Sequence, residues 1–125
     1  MPTIGKKVWA IPGSNIPLDQ TGPEPDFTSH DSLWMLNTTD RGAQVEITLY
    51  YADREPVGPY PLEVAPRRVR QVRFNDLIDP EAMPLETDYG AVITSDVPIV
   101  IQFTQMDTRQ SENSRTVSLG FPGRR

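Results

Sequence analysis

His30 is the only histidine in the 125 residues, and it stands between Ser29 and Asp31, just ahead of an apolar run. A lone histidine cannot build a two-histidine metal centre; at best it joins carboxylates. Asp31 is the type of neighbour that fixes an imidazole tautomer, as in acid–base pairs. A serine hydrolase would need its serine on a sharp turn, and neither Ser29 nor Ser32 has the Gly-x-Ser-x-Gly setting. His30 is therefore either a loop brace or a ligand contact. Glu46 falls on the polar side of an alternating segment, beside Thr48 and Tyr50. A carboxylate next to a phenol and a hydroxyl suits sugar hydroxyls or an arginine; the plainer reading is an exposed sheet face. Gln102 and Thr104 interrupt an otherwise apolar strand and imply a lined pocket or a subunit contact. Arg109, in the polar tract Asp107-Thr-Arg-Gln110, has the fork that clamps a carboxylate or another anion bidentately. It serves equally well in a salt bridge to Asp107 or Glu112.

The remaining candidates are weaker. Arg67, Arg68, Arg70 and Arg73 crowd one strand, but alternation spreads them over both faces, and Phe74 is its one aromatic. A single-stranded nucleic-acid platform needs exposed aromatics between base contacts. Ion pairing with the many carboxylates is the expected role. The carboxylate pairs Asp53/Glu55, Asp76/Asp79 and Glu86/Asp88 lie in segments rich in proline or glycine, where aspartate is turn chemistry. No phosphate-binding loop, dinucleotide glycine pattern, calcium loop or zinc-protease motif is present. The sequence thus offers no catalytic set, no metal set and no cofactor motif, and an enzyme is not expected.

Composition narrows the class. A chain this long builds one core. The formal net charge of −5 opposes diffuse nucleic-acid binding. Without cysteine there are no disulfides, thiolate ligands or thiol nucleophiles. No apolar run reaches the roughly 18 residues of a membrane helix, so no membrane insertion is expected. Lys6 and Lys7 are followed by Pro12, Gly13 and Pro17 rather than an apolar leader, so the expected location is the cytoplasm.

The elements that must position these side chains read as strands. Thirteen prolines and eight glycines punctuate the chain evenly. Strands are predicted at Lys7–Ile11, Ser32–Asn37, Val45–Tyr51, Tyr60–Val64 and Arg67–Phe74. A hairpin is predicted from Asp88–Ser95 and Pro98–Thr104 around Asp96, and a short last strand at Val117–Leu119. Val45, Ile47, Leu49 and Tyr51 share one face and Glu46, Thr48 and Tyr50 the other, the period of a half-buried strand. Thr38–Gly42 reads as a turn built on Asp40 and Gly42. Residues 13–30 form a long irregular segment, and such segments are commonly functional or part of an interface. One helical turn is predicted near Asp76. The pattern gives an all-β antiparallel sandwich or barrel with little helix.

Several segments are too particular for a generic sandwich: Trp9-Ala-Ile, Gly22-Pro-Glu-Pro, Ser29-His30, Val45-Glu-Ile-Thr, Tyr50-Tyr51, Asp53, Glu55-Pro-Val-Gly-Pro-Tyr60, Arg67-Arg68, Val72-Arg-Phe-Asn-Asp-Leu77, Val97-Pro-Ile-Val100 and Arg109-Gln110. Through them the chain resembles the sensory rhodopsin transducer family of the Anabaena type. The resemblance implies an antiparallel β-sandwich of jelly-roll character, assembled as a homotetramer, with residues 1–113 as the domain and 114–125 as a C-terminal tail. It implies signal transduction, by docking to a membrane photoreceptor, a sensory rhodopsin. The alternative it leaves open is a module that binds a small sugar-like or anionic ligand through His30, Glu46, Tyr50, Gln102 and Arg109.

Overall fold

The computed structural model describes residues 4–16, 30–82, 84, 87–107 and 114–123, with backbone alone at 30, 106, 107 and 114–119. The strands are β1 (Lys6–Ser14), β2 (His30–Asn37), β3 (Ala43–Tyr51), β4 (Val57–Val64), β5 (Arg68–Arg73), β6 (Tyr89–Asp107), β7 (Ser114–Leu119) and β8 (Phe121–Pro122). A 3₁₀ turn, Phe74–Asp76, follows β5. All pairings are antiparallel. Sheet I runs β4-β3-β6-β1-β8, and sheet II runs β5-β2-β6-β7. The all-β sandwich with little helix is the architecture expected from the strand pattern.

β6 belongs to both sheets. Tyr89–Ser95 lies between β3 and β1, and Val100–Asp107 lies between β2 and β7. The predicted hairpin around Asp96 is therefore corrected to one 19-residue strand. The reason is visible in the alternation. Tyr89, Ala91, Ile93, Ser95, Val97, Ile99, Ile101 and Phe103 are all buried, without a change of phase. Asp96 and Pro98 fall on the outward phase. The Asp96 carboxylate does not make a turn; its Oδ1 accepts the Gln44 backbone N–H at 2.8 Å and ties β6 to β3.

Where β6 passes from one sheet to the other, β1 clips it. Trp9 Nε1 donates to the Ile99 carbonyl at 2.9 Å and to the Lys6 carbonyl at 3.0 Å. Gly5 allows the approach, with φ of +96°; a Cβ there would stand 2.3 Å from the Ile99 oxygen. Only glycine populates that backbone region at no steric cost.

The core lies between the sheets. Val45, Ile47 and Leu49 of β3 and Leu33 and Met35 of β2 meet the inward face of β6. Each such side chain contributes about 1.5–3 kcal/mol on burial. β4 holds Pro59 and Pro61 because it is an edge strand, where a missing N–H costs no ladder bond.

Three further boundaries differ from expectation. β1 continues through Pro12 to Ser14, with a register irregularity between Ile11 and Ser14 that absorbs the proline. The turn after β2 rests on Asn37 rather than on Asp40 and Gly42. Buried Asn37 donates to the carbonyls of Arg41 at 2.7 Å and Val64 at 3.1 Å, and accepts from Thr39 N at 3.0 Å. The predicted last strand at Val117–Leu119 starts earlier, at Ser114, as β7 paired with β6, and β8 pairs with β1. Residues 17–29, the bulk of the predicted irregular segment, lie outside the described residues.

Candidate functional site

The two ends of β6 meet at one end of the sandwich, and there the interior is polar. Asp31 falls in the inward phase of β2 with Leu33 and Met35, and it is fully buried. Its Oδ2 accepts from Ser14 Oγ at 2.7 Å and from the Tyr89 hydroxyl. Gln105 Nε2 donates to Ser14 Oγ at 3.3 Å and to the Asn15 carbonyl at 3.1 Å. Asn15 Nδ2 in turn donates to Asp88 Oδ1 at 2.8 Å. The network joins the end of β1, the start of β2 and both ends of β6. Phe74 walls it from the core, its ring centre 5.5 Å from that of Tyr89 and 6.1 Å from that of Phe103.

A buried carboxylate needs hydrogen bonds in place of water. Ser14 and Tyr89 supply them. Burial first, and then the negative charge of Asp31 and its hydrogen bond, push the Tyr89 phenol far above the usual tyrosine range. Tyr89 is thus a fixed proton donor to Asp31 rather than an acid or base for chemistry near neutral pH.

Outside this network, the same strand ends form a cleft of about 290 Å³. It is lined by Pro12 and Gly13 of β1, Tyr50, Tyr51 and Ala52 at the end of β3, and Asp88, Tyr89 and Gly90 at the start of β6. Tyr51 and Tyr89 are paired across β3 and β6, as are Tyr50 and Gly90. The Arg54 guanidinium sits over the Tyr51 ring, 4.2 Å from its centre, within cation–π range. Burial raises the Tyr51 phenol above its ordinary value, Arg54 counters the rise, and Glu81 adds to it.

The five residues singled out by sequence fall on separate surfaces. Glu46 and Tyr50 share the outer face of sheet I, both exposed, with Tyr50 at the cleft. Gln102 is exposed on the outer face of sheet II, where its backbone pairs with Trp34 and Leu119. His30 opens β2, paired with Met106. Arg109 lies outside the described residues. The structure thus brings Glu46 and Tyr50 to one face and places Gln102 on the other sheet. Sequence reasoning missed Asp31 as a buried group, along with Ser14, Tyr89 and Gln105. The available signal was phase, since Asp31 keeps step with Leu33 and Met35.

The arginine strand uses backbone carbonyls as well as a carboxylate. Arg67 pairs with Asp40 at 3.6 Å, both exposed, a contact worth about 0–1 kcal/mol. Arg68 donates to the Arg67 carbonyl at 3.0 Å and Arg70 to the Glu63 carbonyl at 2.7 Å. Arg70 and Arg73 line a second hollow of about 350 Å³ with Leu62, Gln71 and Asp76. The outer face of sheet II carries Trp34, Leu36, Val100 and Val69, the last 58% exposed. On the same face Ser32 and Thr104 pair across β2 and β6. Their hydroxyls are buried, and neither has a hydrogen-bond partner. Among the described residues no group of three or more histidine, cysteine, aspartate or glutamate side chains is placed to hold a metal ion. No described helix is long and apolar enough to cross a membrane.

Fold and site define an antiparallel two-sheet sandwich with a shared central strand, a buried carboxylate network and an aromatic cleft at one end. Residues 4–122 match the family described as Anabaena sensory rhodopsin transducer, and the chain belongs to that family. A solved structure titled "Anabaena sensory rhodopsin transducer" is similar at 52% identity, with a TM-score of 0.75, covering 82% of this chain and 99% of that one. A second, titled "Crystal Structure of Thermotoga maritima 1070", is similar at 27% identity, with a TM-score of 0.82, covering 95% and 96%. Comparison with curated proteins gives no match.

Proposed function

We propose that this protein is a non-enzymatic signalling partner that relays the state of a membrane photoreceptor by docking to it from the cytoplasm, as a homotetramer. The observation that carries this reading is family membership over residues 4–122, together with 52% identity to a protein titled as a sensory rhodopsin transducer. The outer face of sheet II supports an assembly role. Val69 and Leu36, neighbours across β5 and β2, form an exposed apolar pair beside Trp34, and exposed apolar surface commonly marks a contact site. The test is titration of the purified protein into a sensory rhodopsin in lipid nanodiscs, in darkness and under illumination. Saturable binding whose affinity changes with light supports the reading. No binding in either condition overturns it.

A second reading is favoured by the cleft at Tyr50: a module that binds a small ligand without a rhodopsin partner. Such sites are concave, largely apolar and furnished with a few convergent polar groups. The cleft supplies Tyr50, Tyr51 and Asp88, with Glu46 on the same outer face and His30 at the start of β2, next to Asp31. Gln102 and Arg109 are assigned to this reading by the sequence pattern alone. A thermal-shift panel of sugars, sugar acids and amines tests it, because a ligand that binds only the folded state raises apparent stability.

A further inference from the structure

We propose that the free edge of β5 takes up an acidic, extended peptide segment of a partner protein as an added strand of sheet II. This goes beyond docking to a photoreceptor, since any partner that presents such a segment fits.

An edge strand carries N–H and C=O groups that face away from its sheet at alternate residues, and another chain can pair with them. In sheet I, the edge strand β4 is blocked by Pro59 and Pro61, which have no N–H to give, and the other edge, β8, is two residues long. In sheet II, β5 and β7 are each six residues long; among the described strands β5 pairs with β2 alone and β7 with β6 alone. β5 is set apart by its exposure and its side chains. Arg68, Val69, Arg70 and Gln71 are exposed in succession, which leaves that stretch open to a partner.

Charge selects the occupant. Arg67, Arg68, Arg70 and Arg73 supply four of the twelve basic residues of an acidic chain, and no carboxylate stands between Glu63 and Asp76. Across paired strands opposite charges attract and like charges destabilise. Two copies of β5 would bring their arginines together, so a second copy is disfavoured and an acidic strand favoured. Arg68 and Arg70 each place one N–H on a backbone carbonyl, of Arg67 at 3.0 Å and of Glu63 at 2.7 Å. A guanidinium has five N–H donors, so both retain donors for carboxylates. Arg67 contributes less, because Asp40 pairs with it.

A hollow of about 350 Å³ runs alongside, between β5 and Leu62 of β4, and the apolar part of its lining is Leu62, Val72 and Leu77. Arg68, Arg70 and Val72 pair with the buried residues Asn37, Met35 and Leu33, so they point to the inner side of sheet II, where the hollow lies. In strand addition the main chain gives affinity, and pockets for alternate side chains give specificity. The fitting segment therefore has an apolar side chain opposite Val72 and acidic ones opposite Arg70 and Arg68. Asp76, also in the lining, follows the Arg73 end of the strand and directs the acidic residues to the other end.

The experiment is isothermal titration of the full chain with the capped peptide Ser-Leu-Thr-Glu-Val-Glu-Ser, written to run antiparallel to β5. Its Gln-for-Glu counterpart, a fully N-methylated copy and an oligothymidylate of the same charge are the comparisons. The expected result is saturable binding of the acidic peptide, about tenfold weaker for the Gln counterpart and lost on N-methylation. Arg68→Gln combined with Arg70→Gln, both at exposed positions, should weaken it about tenfold. Equal binding of the acidic and Gln peptides overturns the proposal. So does undiminished binding of the N-methylated copy, since charge alone would then hold it. Tighter binding of the oligothymidylate assigns the arginines to phosphate and overturns the peptide. Self-association of the parent chain that the double variant abolishes assigns the edge to a second copy and likewise overturns it. No binding by any compound overturns the proposal and leaves docking to a photoreceptor to its own titration.

Discussion

Tyr89→Phe removes one oxygen from the most constrained polar cluster in the protein. The ring remains, so its packing against Phe74 is retained. What is lost is the hydroxyl that donates to the buried Asp31 carboxylate, leaving Ser14 as the other donor to that oxygen. Hydrogen bonds to charged groups contribute about 1.5–3 kcal/mol, and the upper half applies here because Asp31 has no exposed surface. The expected loss is therefore about 2–3 kcal/mol. Unfolding entropy near 2.1 cal/mol/K per residue makes 1 kcal/mol about 4 °C at this size, so Tm should fall by roughly 8–12 °C. A pH signature accompanies it. The Tyr89 pKa is raised by folding, so the unfolded chain releases this proton near pH 10 while the native one keeps it. The stabilisation is complete below about pH 10 and is lost as pH rises beyond it, at about 1.4 kcal/mol per pH unit. Tyr51 and Tyr60, also raised, add to that slope and remain in the variant. Urea unfolding from pH 8 to 11, on the parent chain and on Tyr89→Phe, measures both effects. A loss below about 0.5 kcal/mol, or an alkaline slope unchanged by the substitution, would refute the reasoning.

Thr104→Val replaces a buried hydroxyl that has no hydrogen-bond partner with a methyl of similar shape; Tm should stay level or rise by an amount equivalent to about 1 kcal/mol, and a clear fall would show that the hydroxyl has a partner in solution. Gly5→Ala places a Cβ against the Ile99 carbonyl on a positive-φ residue and should cost about 2 kcal/mol or more by chemical denaturation. Glu46→Ala, on the exposed outer face of sheet I, should change stability by less than about 0.5 kcal/mol; loss of folded protein would contradict its placement.

The fold was legible wherever one face of a strand is buried and the other wet. Val45 to Tyr51 alternates cleanly, and β3 sits where that alternation puts it. β6 misled for a local reason. Ser95, Asp96 and Pro98 are turn residues by type, yet the inward phase from Tyr89 to Phe103 never breaks, and phase outweighs residue type. Pro12 misled in the same way, because a register irregularity lets β1 pass it. The buried network was illegible for another reason. Ser14, Asp31, Tyr89 and Gln105 are far apart in sequence, and what joins them is the return of β6 to the end from which it started. Tyr50 could be assigned to its strand face because β3 is regular; the cleft beside it was not legible, because it is made from three strand ends.

The sharing of β6 also fixes the order in which the molecule can be built. Trp9 pairs with Ile93, and the partners of β1 are β6 and β8, both supplied from the last third of the chain. During synthesis β3 can find β4 and β2 can find β5, but β1 waits with its apolar face uncovered until β6 arrives. Such long-range pairing places folding in the slow regime of milliseconds to seconds. It also makes the domain indivisible. A chain cut within β6 separates the stretch that holds β1 and β3 from the stretch that holds β2 and β7, so neither fragment carries a closed core.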